Sequence, residues 1–246
     1  MYILEGEGVT KYFGGLAAVD GVDFRVDQGE VVGLIGPNGA GKTTLFNLIS
    51  ATYSPKPGII RFKDIDITHK KPYQICRMGI ARTFQMVKIF GNLPVIENVR
   101  AGAFFGKSTS VSSANATKDS LELLEYMGLS QVANTPARDL TLANQKRLEV
   151  ARALATKPEL LLLDEMMAGL NQAEVAGAMQ LITSIKDRGI TIVMIEHVMK
   201  AIMNVCDRII VLHHGKKIAE GTPQEIATSE SVIEVYLGED HHAGSE

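Results

Sequence analysis

Net charge, cysteine and long apolar runs are all scarce in this sequence. The formal net charge is −3 over 246 residues. There is no basic excess or polybasic tract, which argues against a nucleic-acid partner and against direct binding to an anionic lipid surface. The two cysteines, Cys76 and Cys206, lack metal-ligand spacing and read as reduced thiols in buried elements. The longest apolar runs, LLLL at 160–163 and ITIVMI at 190–195, fall far short of the roughly 18 residues that a membrane span needs. The opening MYILEGEGVTK has neither the basic start nor the apolar core of a signal peptide. A soluble, cytoplasmic chain is therefore expected, with any membrane role supplied by a partner. Internal repeats are absent as well.

What remains is ordinary globular material. Hydrophobic residues make up 46% and charged residues 22%, enough for one large domain or two modest ones. Residues 1–35 read as β structure: Val22, Phe24 and Val26 alternate with polar neighbours, Asp27-Gln28-Gly29 is a turn, and Glu30–Ile35 is a short apolar strand. A glycine-rich turn and a helix through Leu45, Leu48 and Ile49 follow. Ile59–Phe62 reads as a further strand beyond the breaks at Pro55 and Pro57-Gly58. The stretch 95–135 carries a serine-rich patch, Ser108–Ser113, and a helical segment, Leu121–Met127. From 140 to 200 helix and strand alternate. Leu160–Asp164 and Ile190–Glu196 are all-apolar strands, as expected when both faces are buried. Val175, Met179, Ile182 and Ile185 recur at helical spacing, with Gly189 as a helix stop. His213-His214-Gly215 lies between two short strands as a hairpin turn, and both histidines are expected at the surface. The tail His241–Glu246 is expected to be disordered. The pattern predicts an α/β fold: a mainly parallel sheet core, a smaller antiparallel β layer beside it, and a mostly helical insertion.

The strongest chemical signal is Gly36-Pro37-Asn38-Gly39-Ala40-Gly41-Lys42-Thr43, which fits G-x-x-x-x-G-K-[ST] without mismatch and runs on into Thr44. It sits between an apolar strand and a helix, the context such a loop requires. Its glycines let backbone N–H groups wrap phosphate oxygens at a helix N-terminus. Lys42 supplies a point charge for the terminal phosphates, and Thr43 a hydroxyl for Mg2+. Such a loop needs an acid at the end of another buried strand, and LLLL-Asp164-Glu165 provides two. Asp164 is the candidate for the metal's hydration shell, and Glu165 for orienting the attacking water. Two adjacent acids there are costly to bury without a cation. His197 closes the strand TIVMIE, where ligands of open α/β sheets bind, and is a candidate γ-phosphate contact.

Taken together, the P-loop, Gln85, LTLAN (140–144), LLLLDE and His197 resemble the nucleotide-binding subunit of ABC transporters, over nearly the whole chain. ARTFQMVKIFGNLPVIENV, FGGLAAVDGVDF and EVYLGE are similar to the ATPases of branched-chain (hydrophobic) amino-acid importers, and ARTFQ followed by KIF to the G-type of their two ATPases. The resemblance implies a P-loop ABC-ATPase fold over 1–246, with a catalytic core at 1–85 and 155–240, a helical subdomain at about 86–154, and a tail at 241–246. It implies that Phe13 stacks on adenine, with Tyr12 the alternative, and that Gln85 binds Mg2+ or the lytic water and reports to the membrane subunits. It makes Ala168-Gly169-Leu170-Asn171 the D-loop at a dimer interface and His197 the switch histidine. Leu140–Asn144 become the signature loop capping the γ-phosphate of the other subunit, through Thr141, Ala143 and Asn144. ATP and Mg2+ are the implied ligands. The implied partners are two permeases and a second ATPase, identical or different, holding the chain on the inner face of the membrane.

This sequence departs from the family's pattern at three places. Ala143 stands for glycine and Asn144 for glutamine in the signature, and Met166 for the proline that usually follows the catalytic glutamate. Ala143 and Asn144 leave a second reading open, a transporter subunit that weakens one ATP site. A soluble ABC ATPase uncoupled from transport is a further alternative, against which the single-domain length and the absence of cysteine clusters or basic extensions weigh. The helix proper is expected from Gln145 onward, with Leu148, Ala151 and Ala155 on one face. No residue here reads the substrate. Branched-chain amino acids are implied by resemblance, with urea, amides and other amino acids as rivals.

Overall fold

The computed structural model describes residues 1–106 and 112–240, with the backbone alone described for 237–240. Most of the expected serine patch and the whole 241–246 tail lie outside the described residues.

Two long strands open the chain, β1 (Tyr2–Phe13) and β2 (Leu16–Asp27), paired antiparallel. Val22, Phe24 and Val26 point inward as the alternation required, none more than 3% exposed. β3 (Val31–Ile35) is buried at every position and runs into the glycine-rich loop that starts α1 (Lys42–Ile49). β4 (Ile59–Phe62) and β5 (Ile65–Asp66) complete an antiparallel sheet in the order β2-β1-β4-β5. Then come α2 (Pro72–Met78), β6 (Ile80–Arg82), α3 (Val95–Phe105), α4 (Ser113–Tyr126) and α5 (Leu142–Ala155). β7 (Leu160–Asp164), α6 (Gln172–Asp187), β8 (Thr191–Ile195), α7 (Met199–Val205) and β9 (Arg208–His213) follow. β10 (Lys216–Gly221), α8 (Pro223–Ala227) and α9 (Glu230–Asp240) end the described chain.

The chain divides into two compact units, Met1–Lys71 with Thr191–Glu246, and Pro72–Ile190. In the first, β3 is flanked in parallel by β8 and β9. β10 returns antiparallel on β9. The turn between them is His214-Gly215, at φ 45 and 78, the left-handed pair a two-residue hairpin needs. His214 is exposed and His213 half-buried.

In the second unit β6 runs parallel to β7, with Ile80 opposite Leu160. Leu160 to Leu163 are each 0% exposed, so each contributes roughly 1.5–3 kcal/mol of burial. α3 and α5 touch closely: a Cβ on Gly102 would lie 2.2 Å from the Arg152 carbonyl oxygen. α6 begins at a full capping box, Asn171 with Glu174, and stops before Gly189 at φ 81. The β6–β7 pair clusters with α2 to α6 in the second unit, Pro72–Ile190.

Three local expectations need correction. α4 begins well before Leu121, because Ser112 caps it by accepting the Asn115 N–H at 3.2 Å. α5 begins at Leu142, three residues before Gln145. Cys76 is only half-buried, while Cys206 is buried; neither is in a disulfide. Among the described residues no helix is long and apolar enough to cross a membrane.

Candidate functional site

The phosphate-binding loop belongs to the first unit. Gly36 has φ 148 and Gly41 φ 103. A Cβ on Gly36 would lie 2.1 Å from the Leu212 carbonyl oxygen, and one on Gly41 2.3 Å from that of Ala18. Only glycine fits at either place. Gly36 and Pro37 are buried, Asn38 and Gly39 exposed. α1 has no side-chain cap and no acid in its first turn, an N-terminus suited to an anion. Lys42, 7% exposed, donates to the carbonyls of Gly36 at 2.6 Å and Pro37 at 2.8 Å. Its ammonium therefore lies within the loop. Thr43 is exposed and Thr44 half-buried.

Phe13 ends β1 and is 45% exposed. Tyr53 meets it edge-on at 5.4 Å, and the Lys11 ammonium lies 5.6 Å from the Phe13 ring centre. This small aromatic platform has a cation beside it, which suits a flat heterocycle. Tyr12 is 50% exposed and lies in no such cluster among the described contacts. His197 is exposed just past β8, after Glu196 at 3% exposure.

The acid pair belongs to the second unit. Asp164 closes β7 with its side chain 1% exposed and pairs with Arg82 at 2.7 Å. Its own N–H donates to Thr83 Oγ1 at 3.1 Å. Glu165 leaves the strand in a left-handed conformation, φ 49. Its Oε2 accepts from Gln85 Nε2 at 3.0 Å, and its backbone carbonyl accepts from Lys146 Nζ at 2.9 Å. Gln85 and Glu165, distant in sequence, thus meet directly. Among the described residues no group of three or more His, Cys, Asp or Glu is placed to hold a metal.

The LTLAN stretch forms the start of α5. Thr141 is the N-cap, and its hydroxyl accepts the Asn144 N–H at 3.4 Å. Ala143 and Asn144 are half-buried residues of the first helical turn. Alanine favours helix by about 1 kcal/mol over glycine, which explains why the helix reaches back to Leu142. Leu142, 45% exposed, leans toward Gly169, where a Cβ would lie 3.1 Å from Leu142 Cδ2. Asn171 of the same loop spends its side chain on the α6 cap, accepting from Ala173 and Glu174 at 3.0 Å each. Met166 is buried at 4% exposure.

Residues 19–168 match the family model described as ABC transporter, and 216–242 one described as branched-chain amino acid ATP-binding cassette transporter. This chain belongs to the ABC transporter family. It is 41% identical to the high-affinity branched-chain amino acid transport ATP-binding protein LivG of Escherichia coli (strain K12), over 96% of this chain and 98% of that protein. It is 39% identical, over the same shares, to the corresponding protein BraF of Pseudomonas aeruginosa. Among solved structures, the ADP conformation of an ATP-binding cassette of an ABC transporter superposes with a TM-score of 0.87 at 32% identity, covering 97% of this chain and 99% of that one. A dimeric post-hydrolysis cassette bound to ADP and Pi superposes at 0.81 with 28% identity, covering 89% and 98%. The fold is that of an ABC ATPase, a nucleotide-binding cassette.

Sequence motifs do not mark Lys11 and Tyr53 beside the Phe13 ring in the first unit, nor Arg82, Lys146 and Glu149 around the acid pair in the second. A signal existed for the last two. Lys146 and Glu149 fall on the same helical stripe as Val150 and Ala153, and a charge on a buried stripe needs a partner.

Proposed function

We propose that this ABC ATPase hydrolyses ATP to energise an importer of branched-chain or related amino acids. The observation that carries the reading is the Gln85–Glu165 hydrogen bond beside a buried, ion-paired Asp164. Lys42 and the loop N–H groups bind the phosphates, and Phe13, braced by Tyr53, stacks on the adenine. Glu165 accepts a proton from the attacking water while Gln85 fixes its carboxylate, and His197 contacts the γ-phosphate. Mg2+ would be held by the Thr43 hydroxyl, the Gln85 amide oxygen and, through water, the Asp164 carboxylate. That all-oxygen set suits a hard cation, and Mg2+ when bound neutralises phosphate charge. The functional division remains a core of 1–85 and 155–240 with a helical subdomain at about 86–154.

The chain works against a second ATPase, identical or different, and two permeases hold it at the inner face of the membrane. Substrate chemistry comes from the importer's other subunits, and the amino-acid assignment rests on relatives named as branched-chain transport proteins. Uptake of labelled leucine by the assembled transporter is the test.

A weakened second site is favoured by one observation. The Thr141 hydroxyl is used as a helix cap, and Ala143 carries a Cβ at a helix start proposed to face the partner's phosphate. In a mixed dimer, this chain's own P-loop site, completed by the other ATPase, stays strong, and the partner's site is weak. In a homodimer both are weak. Ala143→Gly with Asn144→Gln is expected to raise homodimer turnover, because a phosphate hydrogen bond is worth roughly 1.5–3 kcal/mol, about ten- to a hundredfold. Steady-state phosphate release checks this, and an unchanged rate would show that the loop tolerates both residues.

A further inference from the structure

The Gln85–Glu165 pair is held from behind by one helix. Glu165 keeps a backbone conformation, φ 49, that a side chain with a Cβ disfavours. Its carbonyl oxygen takes two donors there, Lys146 Nζ at 2.9 Å and the Ala168 N–H at 3.3 Å. Lys146 is 6% exposed, and so buried an ammonium is stable only where acceptors meet it. One turn further along α5, Glu149 is 3% exposed. Its Oε1 accepts the Lys88 N–H at 3.0 Å and lies 3.7 Å from the Arg152 guanidinium. Burial pushes the Glu149 carboxyl up from its ordinary range, opposed by that N–H and by Arg152. Lys88 lies three residues after Gln85. The backbone at each end of the Gln85–Glu165 contact is thus tied to α5, one by a buried cation and the other by a buried acid.

The space among these groups is a cavity of about 10 Å³, bordered by Phe84, Lys146, Glu149 and Glu165. That holds no more than a water, so the two charges do not build a ligand site of their own. Lys146 holds the Glu165 backbone carbonyl and Glu149 the Lys88 backbone N–H, and backbone orientation decides where the Glu165 and Gln85 side chains aim.

We infer that Lys146, assisted by Glu149, is a positioning residue for the Gln85–Glu165 pair. The same helix begins with Thr141–Asn144, so α5 joins the stretch offered to a partner's nucleotide to the acid this chain uses on its own. A shift of the α5 start moves Lys146 with it, and the Glu165 peptide plane follows. The inference rests on the reading of Glu165 as the group that accepts the water's proton.

The test compares Lys146→Met and Lys146→Arg in the purified ATPase, measuring kcat, KM for ATP, affinity for a fluorescent ATP analogue and melting temperature. Lys146→Met is expected to lower kcat about tenfold, the loss of one charged hydrogen bond, with nucleotide affinity kept. Lys146→Arg, which retains a cationic donor, is expected to recover most of it. In a Gln85→Ala background the Lys146→Met loss should shrink, because the pair it orients is already broken. Should Lys146→Met not fold, Lys146→Gln is measured in its place with the same expectations. An unchanged kcat overturns the inference. So does a loss that tracks melting temperature and nucleotide affinity, that arginine does not rescue, or that is equally large without Gln85. Absent turnover in the wild-type chain would instead remove the ATPase reading itself, and this inference with it.

Discussion

Glu165→Gln is expected to bind ATP and hardly hydrolyse it. Glutamine is isosteric with glutamate and retains an acceptor for Gln85 Nε2, so the 3.0 Å contact survives. The backbone carbonyl still receives Lys146. Phosphate contacts come from Lys42 and the loop, which the substitution leaves alone. What is lost is a base for the attacking water, typically worth about 10²–10⁴ in rate. Phosphate release should therefore fall by at least about a hundredfold while binding of a fluorescent ATP analogue is unchanged. Equal turnover in the variant would take the base role away from Glu165. Equal losses of binding and turnover would point to a damaged fold.

The second large effect is on stability. Arg82 and Asp164 pair at 2.7 Å with side chains 9% and 1% exposed. Arg82→Ala leaves a buried carboxylate without its cation, which in such pairs costs roughly 3–5 kcal/mol. For a chain of this size each kcal/mol shifts the melting temperature by about 2–4 °C, so a drop of roughly 6–20 °C is expected. Arg82→Met with Asp164→Leu should be more stable than Arg82→Ala alone, because an apolar pair needs no mutual neutralisation. Thermal melts of the three proteins decide this. A melting temperature unchanged in Arg82→Ala would mean that the pair contributes nothing to the fold.

The parts legible in the sequence were those where a motif and its context coincide. Gly36–Thr43 follows a buried strand and opens a helix, and both are in the fold. LLLL-Asp164-Glu165 names a strand buried on both faces and the acids at its end. The family assignment drawn from these motifs agrees with the relatives. Other features stayed hidden because they depend on partners far away in the chain. Nothing near Arg82 announces that it neutralises Asp164, 82 residues on. Nothing near Tyr53 announces that it braces Phe13. The signature letters predict a loop up to Asn144, whereas threonine followed by leucine and alanine is also a good helix start, and α5 begins there. Gln85 carries no local sequence signal of its own, and its contact with Glu165, far along the chain, is visible only in the fold.

Uptake of labelled leucine, in cells carrying this chain with its permeases and second ATPase, tests the account most directly. Uptake is expected with the wild-type chain and is expected to be lost in Glu165→Gln, with the transporter still assembled. Undiminished uptake in that variant would contradict the claim that this chain's ATP hydrolysis drives the import.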